Sequence, residues 1–318
     1  MRLYDRLSDF VYDGLLVSSY FDLILSDADL INVLEYKGLK INKLSVFKLP
    51  HINVDDSVLI IAAYGCDDEL IGLIHLSNSV SPEQVFMAFK NARNIRNLLG
   101  STFDKDRVLL PIFLGYVKGN SYSFTPVKKN LSSSVFWFFQ RRYMVSAIAD
   151  WLIYLAGSSK KPCSISFAKE LLLLLQRDPE ISESIRISVG SALLSLESKV
   201  WSPLHMADHN DFWKGNILVD SILSKSFFVI DWGGANIDGF GVHDMVTFCQ
   251  SFKVSPSLAH KYLSKYSLVI DMPLEHLLYQ YLLSMGCLRL NLSNFPYDRF
   301  IQKIENEFKY LSTILPIR

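Results

Sequence analysis

The sequence predicts an α+β protein with two lobes, a small β-rich N-terminal lobe and a larger, mainly helical C-terminal lobe. Two patterns support this class: strand-like segments concentrate before residue 128, and apolar residues recur at helical spacing after residue 130. At 318 residues the chain exceeds the usual size of one domain, so two lobes that share a cleft are expected. We therefore expect an N-lobe over residues 1–128 and a C-lobe over residues 129–318.

Several strand and turn signals precede residue 128. Residues 1–36 show apolar clusters without a clear period, which suggests short helices or strands. A Gly-Cys-Asp-Asp stretch separates two apolar segments and predicts a β-hairpin, and a Ser-Pro-Glu sequence predicts the start of a helix that ends before Gly100. The predicted elements are a strand at 44–49, the hairpin 57–64 and 69–76, the helix to residue 99, and strands at 109–117 and 122–127 joined by a turn at 118–121.

Beyond the expected connection at residues 126–130, the apolar spacing is helical and Gly, Pro and Ser clusters separate the segments. The predicted helices cover residues 132–156, 166–177, 180–199 and 256–270, with further helices between 274 and 314.

The composition excludes several function classes. Half of the residues are hydrophobic, which excludes a disordered chain, and 32 Lys and Arg balance 32 Asp and Glu. A neutral chain has no electrostatic preference for nucleic acid or an anionic membrane. The apolar runs are shorter than the roughly 20 residues of a membrane span, and the N-terminus lacks a signal-peptide pattern. We expect a cytoplasmic protein.

The four cysteines are scattered and form no Cys-x-x-Cys pair, so the sequence gives no sign of a zinc site or a disulfide framework. We interpret Cys66, Cys163, Cys249 and Cys287 as buried thiols in a reducing compartment.

One polar segment carries the residues that suggest chemistry. His209, Asp211 and Asn216 lie in a short predicted loop, and Asp231 follows an apolar, β-branched strand. A carboxylate such as Asp211 can hold a hydroxyl group and accept its proton. The oxygens of Asn216 and Asp231 are hard ligands of the kind that magnesium prefers. This combination suits phosphoryl transfer, in which positioning and charge neutralisation carry most of the catalysis.

The pattern H-x-D-x-x-x-x-N, followed by an apolar strand that ends in I-D-W-G, resembles the aminoglycoside phosphotransferase and choline kinase-like family. The resemblance implies a two-lobed protein kinase-like fold and the use of ATP and Mg²⁺. It implies that Asp211 is the catalytic aspartate, that Asn216 and Asp231 are the metal ligands, and that His209 organises the catalytic loop. Asp244 matches the family's buried aspartate that steadies this loop, so we expect it to be hydrogen-bonded to the backbone near His209.

The resemblance is weaker in the N-lobe, where a kinase places a Lys or Arg on the third strand and pairs it with a Glu on the next helix. If the second strand of the predicted hairpin is that element, His75 occupies the cation position and Asn91 lies near the Glu position. A neutral imidazole does not replace a fixed positive charge. Lys48 is the alternative cation if residues 44–49 form the equivalent strand. Both His75 and Lys48 remain candidates for nucleotide binding.

The sequence therefore predicts an ATP- and magnesium-dependent phosphotransferase that acts on a hydroxyl group of a small molecule, such as a sugar, an amino-alcohol or an aminoglycoside-like acceptor. Asp238, Asp271 and Glu275 are candidate contacts for a cationic acceptor. Trp213 and Trp232 are interpreted as residues that pack the loop against the core.

The sequence also bears on two other functions. The alternative to the phosphotransferase is a pseudokinase or nucleotide-binding scaffold without turnover, which His75 and Asn91 suggest. A protein kinase is disfavoured because no D-F-G and A-P-E pair frames a long activation segment after Asp231.

Overall fold

The structure, a computed structural model, describes residues 38, 40–48, 57–130, 135–220, 226–292 and 296–315. They divide into two compact units. The first unit contains the described residues up to Lys90 and Leu110–Lys128, and the second contains Asn91–Leu109 and the described residues from Lys129 onward. The elements predicted within residues 1–36 and the helix start at residue 132 lie outside the described residues. No helix of the described part is long and apolar enough to cross a membrane.

The first unit is built on an antiparallel five-stranded sheet. Its strands are β1 (Lys43–Lys48), β2 (Leu59–Tyr64), β3 (Leu70–Leu76), β4 (Phe113–Val117) and β5 (Asn120–Pro126). Their order in the sheet is β1-β2-β3-β5-β4. The predicted hairpin is confirmed as β2 and β3. The predicted strand 109–117 begins later than expected, at Phe113, and the connecting turn consists of Lys118 and Gly119, both at positive φ, as in the tight turns of β-hairpins.

Alternating apolar side chains of these strands form the core of the first unit, including Leu59, Ile61, Ile74 and Phe124. Gly72 on β3 lets the Phe124 ring pack directly on the backbone, since a Cβ at this position would lie 2.1 Å from the ring. The unit boundary falls within helix α1 (Gln84–Leu98), which follows β3 as predicted.

The second unit is mainly helical, as the apolar spacing predicts. Its helices are α2 (Val135–Ser159), α3 (Ile165–Gln176), α4 (Glu183–Glu197), α5 (Val242–Ser251), α6 (Pro256–Ile270), α7 (His276–Leu290) and α8 (Tyr297–Ile314). Two small antiparallel sheets accompany them, formed by β6 (Lys129–Asn130), β7 (Lys161–Pro162), β8 (Leu204–His205), β9 (Ile217–Val219) and β10 (Phe227–Val229). The strand orders are β10-β9-β6 in one sheet and β7-β8 in the other.

An aromatic cluster supports the loop that connects β8 and β9. The Trp151 ring of α2 stacks on Phe212 at a centroid distance of 6.0 Å, and it meets Phe227 and Trp232 edge-on at 6.1 and 6.4 Å. All four side chains are buried. Phe212 immediately follows Asp211, so its packing in this cluster anchors the loop next to Asp211.

Candidate active site

Both ends of the loop 209–216 are hydrogen-bonded to the backbone of Ile230. His209 Nε2 lies 2.8 Å from the carbonyl oxygen of Ile230, and the Ile230 N–H donates to the carbonyl of Asn216 at 3.0 Å. Because a carbonyl only accepts hydrogen bonds, His209 Nε2 carries the proton in this pair. Asp231 directly follows Ile230, so these two bonds fix the loop beside Asp231.

Asp244 at the start of α5 caps the backbone of the same loop. Its carboxylate accepts the N–H of His209 at 2.5 Å and that of Asn210 at 3.0 Å, and Asn210 adopts a left-handed conformation with φ of 64°. The prediction that Asp244 is buried and bonded to the backbone near His209 is confirmed. Burial raises the pKa of Asp244, and the charges of His209 and His243 together with the two N–H groups oppose that rise.

A second buried carboxylate, Asp208, joins the loop to the segment after Asp231. Asp208 accepts the N–H groups of Phe240 at 2.8 Å and Asn236 at 3.2 Å, as well as the side-chain amide of Asn210 at 2.8 Å. Burial and the neighbouring Asp244 raise the pKa of Asp208 well above its usual value. Asp208 was not among the site residues predicted from the sequence, although an Asp beside His209 in a largely apolar segment was a signal for it.

Gly239 gives this carboxylate the room it needs. A Cβ at Gly239 would lie 1.8 Å from Asp208 Oδ2, so we expect Gly239→Ala to destabilise the fold by about 1–3 kcal/mol through overpacking. Urea unfolding measures the change. Gly190→Ala is the matched control, because a Cβ there meets no atom within 4 Å of it, and it is expected to stabilise α4 by roughly 0.5–1 kcal/mol. Equal stability of Gly239→Ala and the wild type would contradict the packing argument.

The Asp211 side chain is exposed and accepts two hydrogen bonds on one oxygen. Its Oδ2 accepts from Asn216 Nδ2 at 2.9 Å and from Trp213 Nε1 at 3.0 Å. Asn216 Nδ2 also donates to the carbonyl of Asp211 at 2.9 Å. Both partners of Asn216 are acceptors, so its amide nitrogen must face them and its amide oxygen points away.

Asn216 and Asp231 present a donor set that suits magnesium. The amide oxygen of Asn216 accepts no hydrogen bond from the described residues, and the carboxylate of Asp231 is exposed at the end of β10. Asp231 has a φ of 63°, a conformation that Asp and Asn adopt more readily than most residues. The described residues contain no cluster of three or more His, Cys, Asp or Glu side chains suited to a metal. Mg²⁺ usually takes one or two carboxylates and completes its shell with water and phosphate oxygens.

Asn91 of α1 contacts the backbone beside Asp231. Its Nδ2 lies 3.1 Å from the carbonyl of Trp232 and 3.4 Å from that of Gly233. The residue near the expected Glu position therefore bonds to the Asp231-Trp232-Gly233 segment through its neutral amide.

His75 and Lys48 lie in one row of the first unit's sheet. Lys48 pairs with Ile60 of β2, and Ile60 pairs with His75 of β3. Burial and, secondarily, the charge of Lys48 lower the pKa of His75 to about 4. His75 is therefore neutral at pH 7, whereas Lys48 is exposed. Helix α1 follows β3, so His75 lies on the strand that precedes the helix and Lys48 lies two strands away.

A cavity of about 430 Å³ lies in the second unit, between β7, the segment before β8 and the turn between α6 and α7. Asp271 lines this cavity, as does Lys161, which forms an ion pair with Asp238. Neither Glu275 nor any of the residues Asp211, Asn216 and Asp231 lines it. No residue of the loop 209–216 lines this cavity, so Asp271 lines a different part of the second unit.

Other predicted details differ in the structure. Cys163 and Cys249 are buried, but Cys287 is half-buried and Cys66 is exposed in the β2–β3 turn, so the interpretation of Cys66 as buried is wrong.

Trp232 is buried as expected. Trp213 is 48% exposed and bonds to Asp211, so the interpretation that it packs against the core is wrong.

A buried ion pair lies next to Asp244. His243 Nε2 is 3.5 Å from Glu307 of α8, and Lys303 Nζ lies 2.7 Å from the same carboxylate. The Thr247 hydroxyl also donates to it at 3.3 Å, and Tyr281 faces it from α7. Burial would raise the pKa of Glu307, but the charges of His243 and Lys303 outweigh it and lower the pKa to about 2.

This low pKa predicts an acid-dependent loss of stability. The folded-state pKa of Glu307 lies below the unfolded value of 4.5, so the carboxylate stabilises the fold above pH 4.5 and loses this effect as the pH falls towards 2. We expect the Glu307 contribution to be about 2 kcal/mol smaller at pH 3 than at pH 7. The difference in the free energy of unfolding between the wild type and Glu307→Gln, measured in urea at both pH values, gives this contribution. A constant difference between the two proteins would contradict the assignment.

The sequence matches no protein-family model and no curated protein. The structure is similar to choline kinase LicA from Streptococcus pneumoniae, with a TM-score of 0.50 and 13% identity over 90% of this chain and 99% of that one. It is similar to a Plasmodium vivax ethanolamine kinase, with a TM-score of 0.50 and 12% identity over 99% of this chain and 93% of that one. A thermostable mutant of aminoglycoside phosphotransferase APH(4)-Ia, in a ternary complex with AMP-PNP and hygromycin B, matches with a TM-score of 0.54 and 12% identity over 92% and 100% of the two chains.

The chain has the fold of these small-molecule kinases. The match extends over nearly the full length of each kinase, so it includes the antiparallel sheet and the helical part. The protein kinase-like fold class predicted from the sequence is confirmed, and so is the resemblance at the level of fold.

Proposed function

We propose that the protein is an ATP- and Mg²⁺-dependent phosphotransferase that acts on a hydroxyl group of a small molecule. The observation that carries this proposal is the loop 209–216, which is fastened at both ends to Ile230 and so holds Asp211 and Asn216 beside Asp231. The fold supports it, because the similar proteins are choline, ethanolamine and aminoglycoside kinases. One of them is in complex with AMP-PNP and hygromycin B, a nucleotide analogue and an acceptor.

Each residue has a role in this proposal. Asp211 holds the acceptor hydroxyl and receives its proton while the acceptor oxygen forms a bond to the γ-phosphorus and the bond to ADP breaks. Asn216 and Asp231 would hold Mg²⁺, which neutralises charge on the phosphate oxygens when bound. His209 keeps the loop in place. In the first unit, Lys48 and His75 are the candidates for nucleotide contact, and the neutral state of His75 favours Lys48 as the cation.

A second candidate function is a nucleotide-binding scaffold without turnover. The observations that favour it are the neutral imidazole of His75 and the use of Asn91 for backbone contacts in place of an ion pair. This candidate keeps the fold and the nucleotide but not the reaction.

An acceptor screen tests the two functions. The purified chain is incubated with ATP and Mg²⁺ and with panels of amino-alcohols, sugars, nucleosides and aminoglycosides, and ADP release is followed by a coupled assay. If the protein is a phosphotransferase, ADP release is expected to depend on one acceptor class and to be lost when EDTA is added. Nucleotide binding in calorimetry without acceptor-stimulated ADP release would support the scaffold, and absence of nucleotide binding would contradict both functions.

A further inference from the structure

We infer that Trp213 is a positioning residue that determines which oxygen of Asp211 receives the acceptor proton. Asp211 Oδ2 accepts the indole N–H of Trp213 and the amide of Asn216, whereas Oδ1 accepts no hydrogen bond from the described residues. Two hydrogen bonds on one oxygen restrict the rotation of the carboxylate and leave its other oxygen available to accept a bond from a ligand. This inference rests on the proposed function, because it assigns the acceptor site to Asp211 Oδ1.

The indole is held at two points although it is 48% exposed. Its N–H is bonded to Asp211, and its six-membered ring lies against the backbone of Gly215. A Cβ at Gly215 would come within 2.2 Å of Cη2 and 2.5 Å of Cζ2 and Cζ3 of Trp213. Gly215 is not among the glycines at positive φ, so space for the indole accounts for glycine here.

The backbone of Trp213 contributes to the loop independently of its side chain. The backbone N–H of Trp213 donates to the backbone carbonyl of Asp211 at 3.0 Å, and the backbone carbonyl of Trp213 accepts the backbone N–H of Asn216 at 3.0 Å. These backbone bonds persist with any side chain at position 213. Loss of the indole N–H therefore removes one of two bonds that orient the carboxylate and leaves the loop backbone intact.

The expected effect is on the chemical step. A misplacement of about 1 Å in a catalytic group costs on the order of 100-fold in rate. We expect Trp213→Phe, which keeps an aromatic ring but loses the N–H, to lower kcat by about 10- to 100-fold with KM for ATP unchanged. Replacement of Trp213 by benzothienylalanine, which has sulfur in place of the N–H, is expected to lower kcat to the same extent. Unchanged kcat in both proteins would overturn the inference.

Gly215→Ala tests the second contact. The added Cβ displaces the indole ring, so a loss of kcat similar to that of Trp213→Phe is expected, while Gly190→Ala serves as the control. In the Trp213→Phe background the atoms that clash are absent, so Gly215→Ala should have little further effect. Additive losses in the double variant would show that Gly215 does not act through Trp213, and would overturn this part of the inference.

A measurement without turnover separates this inference from the proposed function. The chain has five tryptophans, and the indole N–H resonance of Trp213 is assigned in ¹⁵N-tryptophan spectra by its loss in Trp213→Phe. Asp211→Ala should move this resonance more than the other indole signals, because it removes the acceptor. If the resonance does not move, the bond is absent and the inference is wrong even when the wild type is active. If it moves but no acceptor is phosphorylated, the proposed function fails and the positioning role fails with it, although the contact exists.

Discussion

Asp211→Asn is expected to lower kcat by about 100- to 10,000-fold, the usual contribution of a general base. Asparagine keeps the shape of the side chain and can still accept the Trp213 N–H, but it does not take up the proton of the acceptor hydroxyl. Binding of ATP and Mg²⁺ is expected to persist, because the proposed metal ligands are Asn216 and Asp231. A fall in kcat with nearly unchanged KM for ATP is the signature of an interaction made chiefly in the transition state.

Asp220→Asn is the control for this experiment. Asp220 is also exposed and directly follows β9, so its substitution removes the same charge at a position outside the loop 209–216. It is expected to retain wild-type kcat. If Asp211→Asn retains wild-type turnover, Asp211 is not the base and the proposed mechanism is wrong. If the wild type binds nucleotide but has no turnover with any acceptor class, the scaffold is the better interpretation.

Local patterns account for what the sequence predicted well. The β2–β3 hairpin and helix α1 depend on turn residues and apolar spacing within short segments, and both occur close to the predicted bounds. The fold class followed from the order of such segments and from the loop pattern that resembles a kinase family. The contact of Asp244 with the loop backbone was also predictable, because that resemblance names the residue.

Two residues, Asp208 and Trp213, have contacts that the sequence did not predict. Asp208 is satisfied by backbone N–H groups at Asn236 and Phe240, which lie 28 and 32 residues away and carry no sequence signal of their own. Trp213 looked like a packing residue because tryptophan is usually buried, but its indole bonds to a carboxylate two residues away. Hydrophobicity alone does not predict whether a tryptophan in this loop is buried or exposed, since this depends on which side of the loop the aromatic cluster occupies.

His75 and Lys48 of the first unit are the proposed candidates for nucleotide contact. The sequence placed His75 at the cation position, and the sheet register adds Lys48 to the same row. Burial lowers the pKa of His75 to about 4, which agrees with the expectation from the sequence that a neutral imidazole does not replace a fixed positive charge. Lys48→Ala is therefore more informative than His75→Ala about nucleotide affinity.

Asp231→Asn is expected to abolish the magnesium dependence of nucleotide binding. Asparagine has nearly the same volume and also tolerates the left-handed conformation that Asp231 adopts at φ of 63°, so the fold is expected to persist. It lacks the charge that a hard divalent cation requires of its carboxylate ligand. Titration calorimetry with ATP should give the same affinity for the variant with Mg²⁺ as with EDTA.

Asp238→Asn is the matched control for Asp231, because Asp238 is an exposed aspartate seven positions later in the same segment and pairs with Lys161. It is expected to keep the wild-type response to Mg²⁺. The two aspartates differ in their surroundings. Asp231 follows the residue to which both ends of the loop 209–216 are bonded, whereas Asp238 pairs with Lys161, which lines the cavity. If Asp231→Asn binds ATP with the wild-type response to Mg²⁺, the metal is held elsewhere and Asn216 loses its proposed role as well.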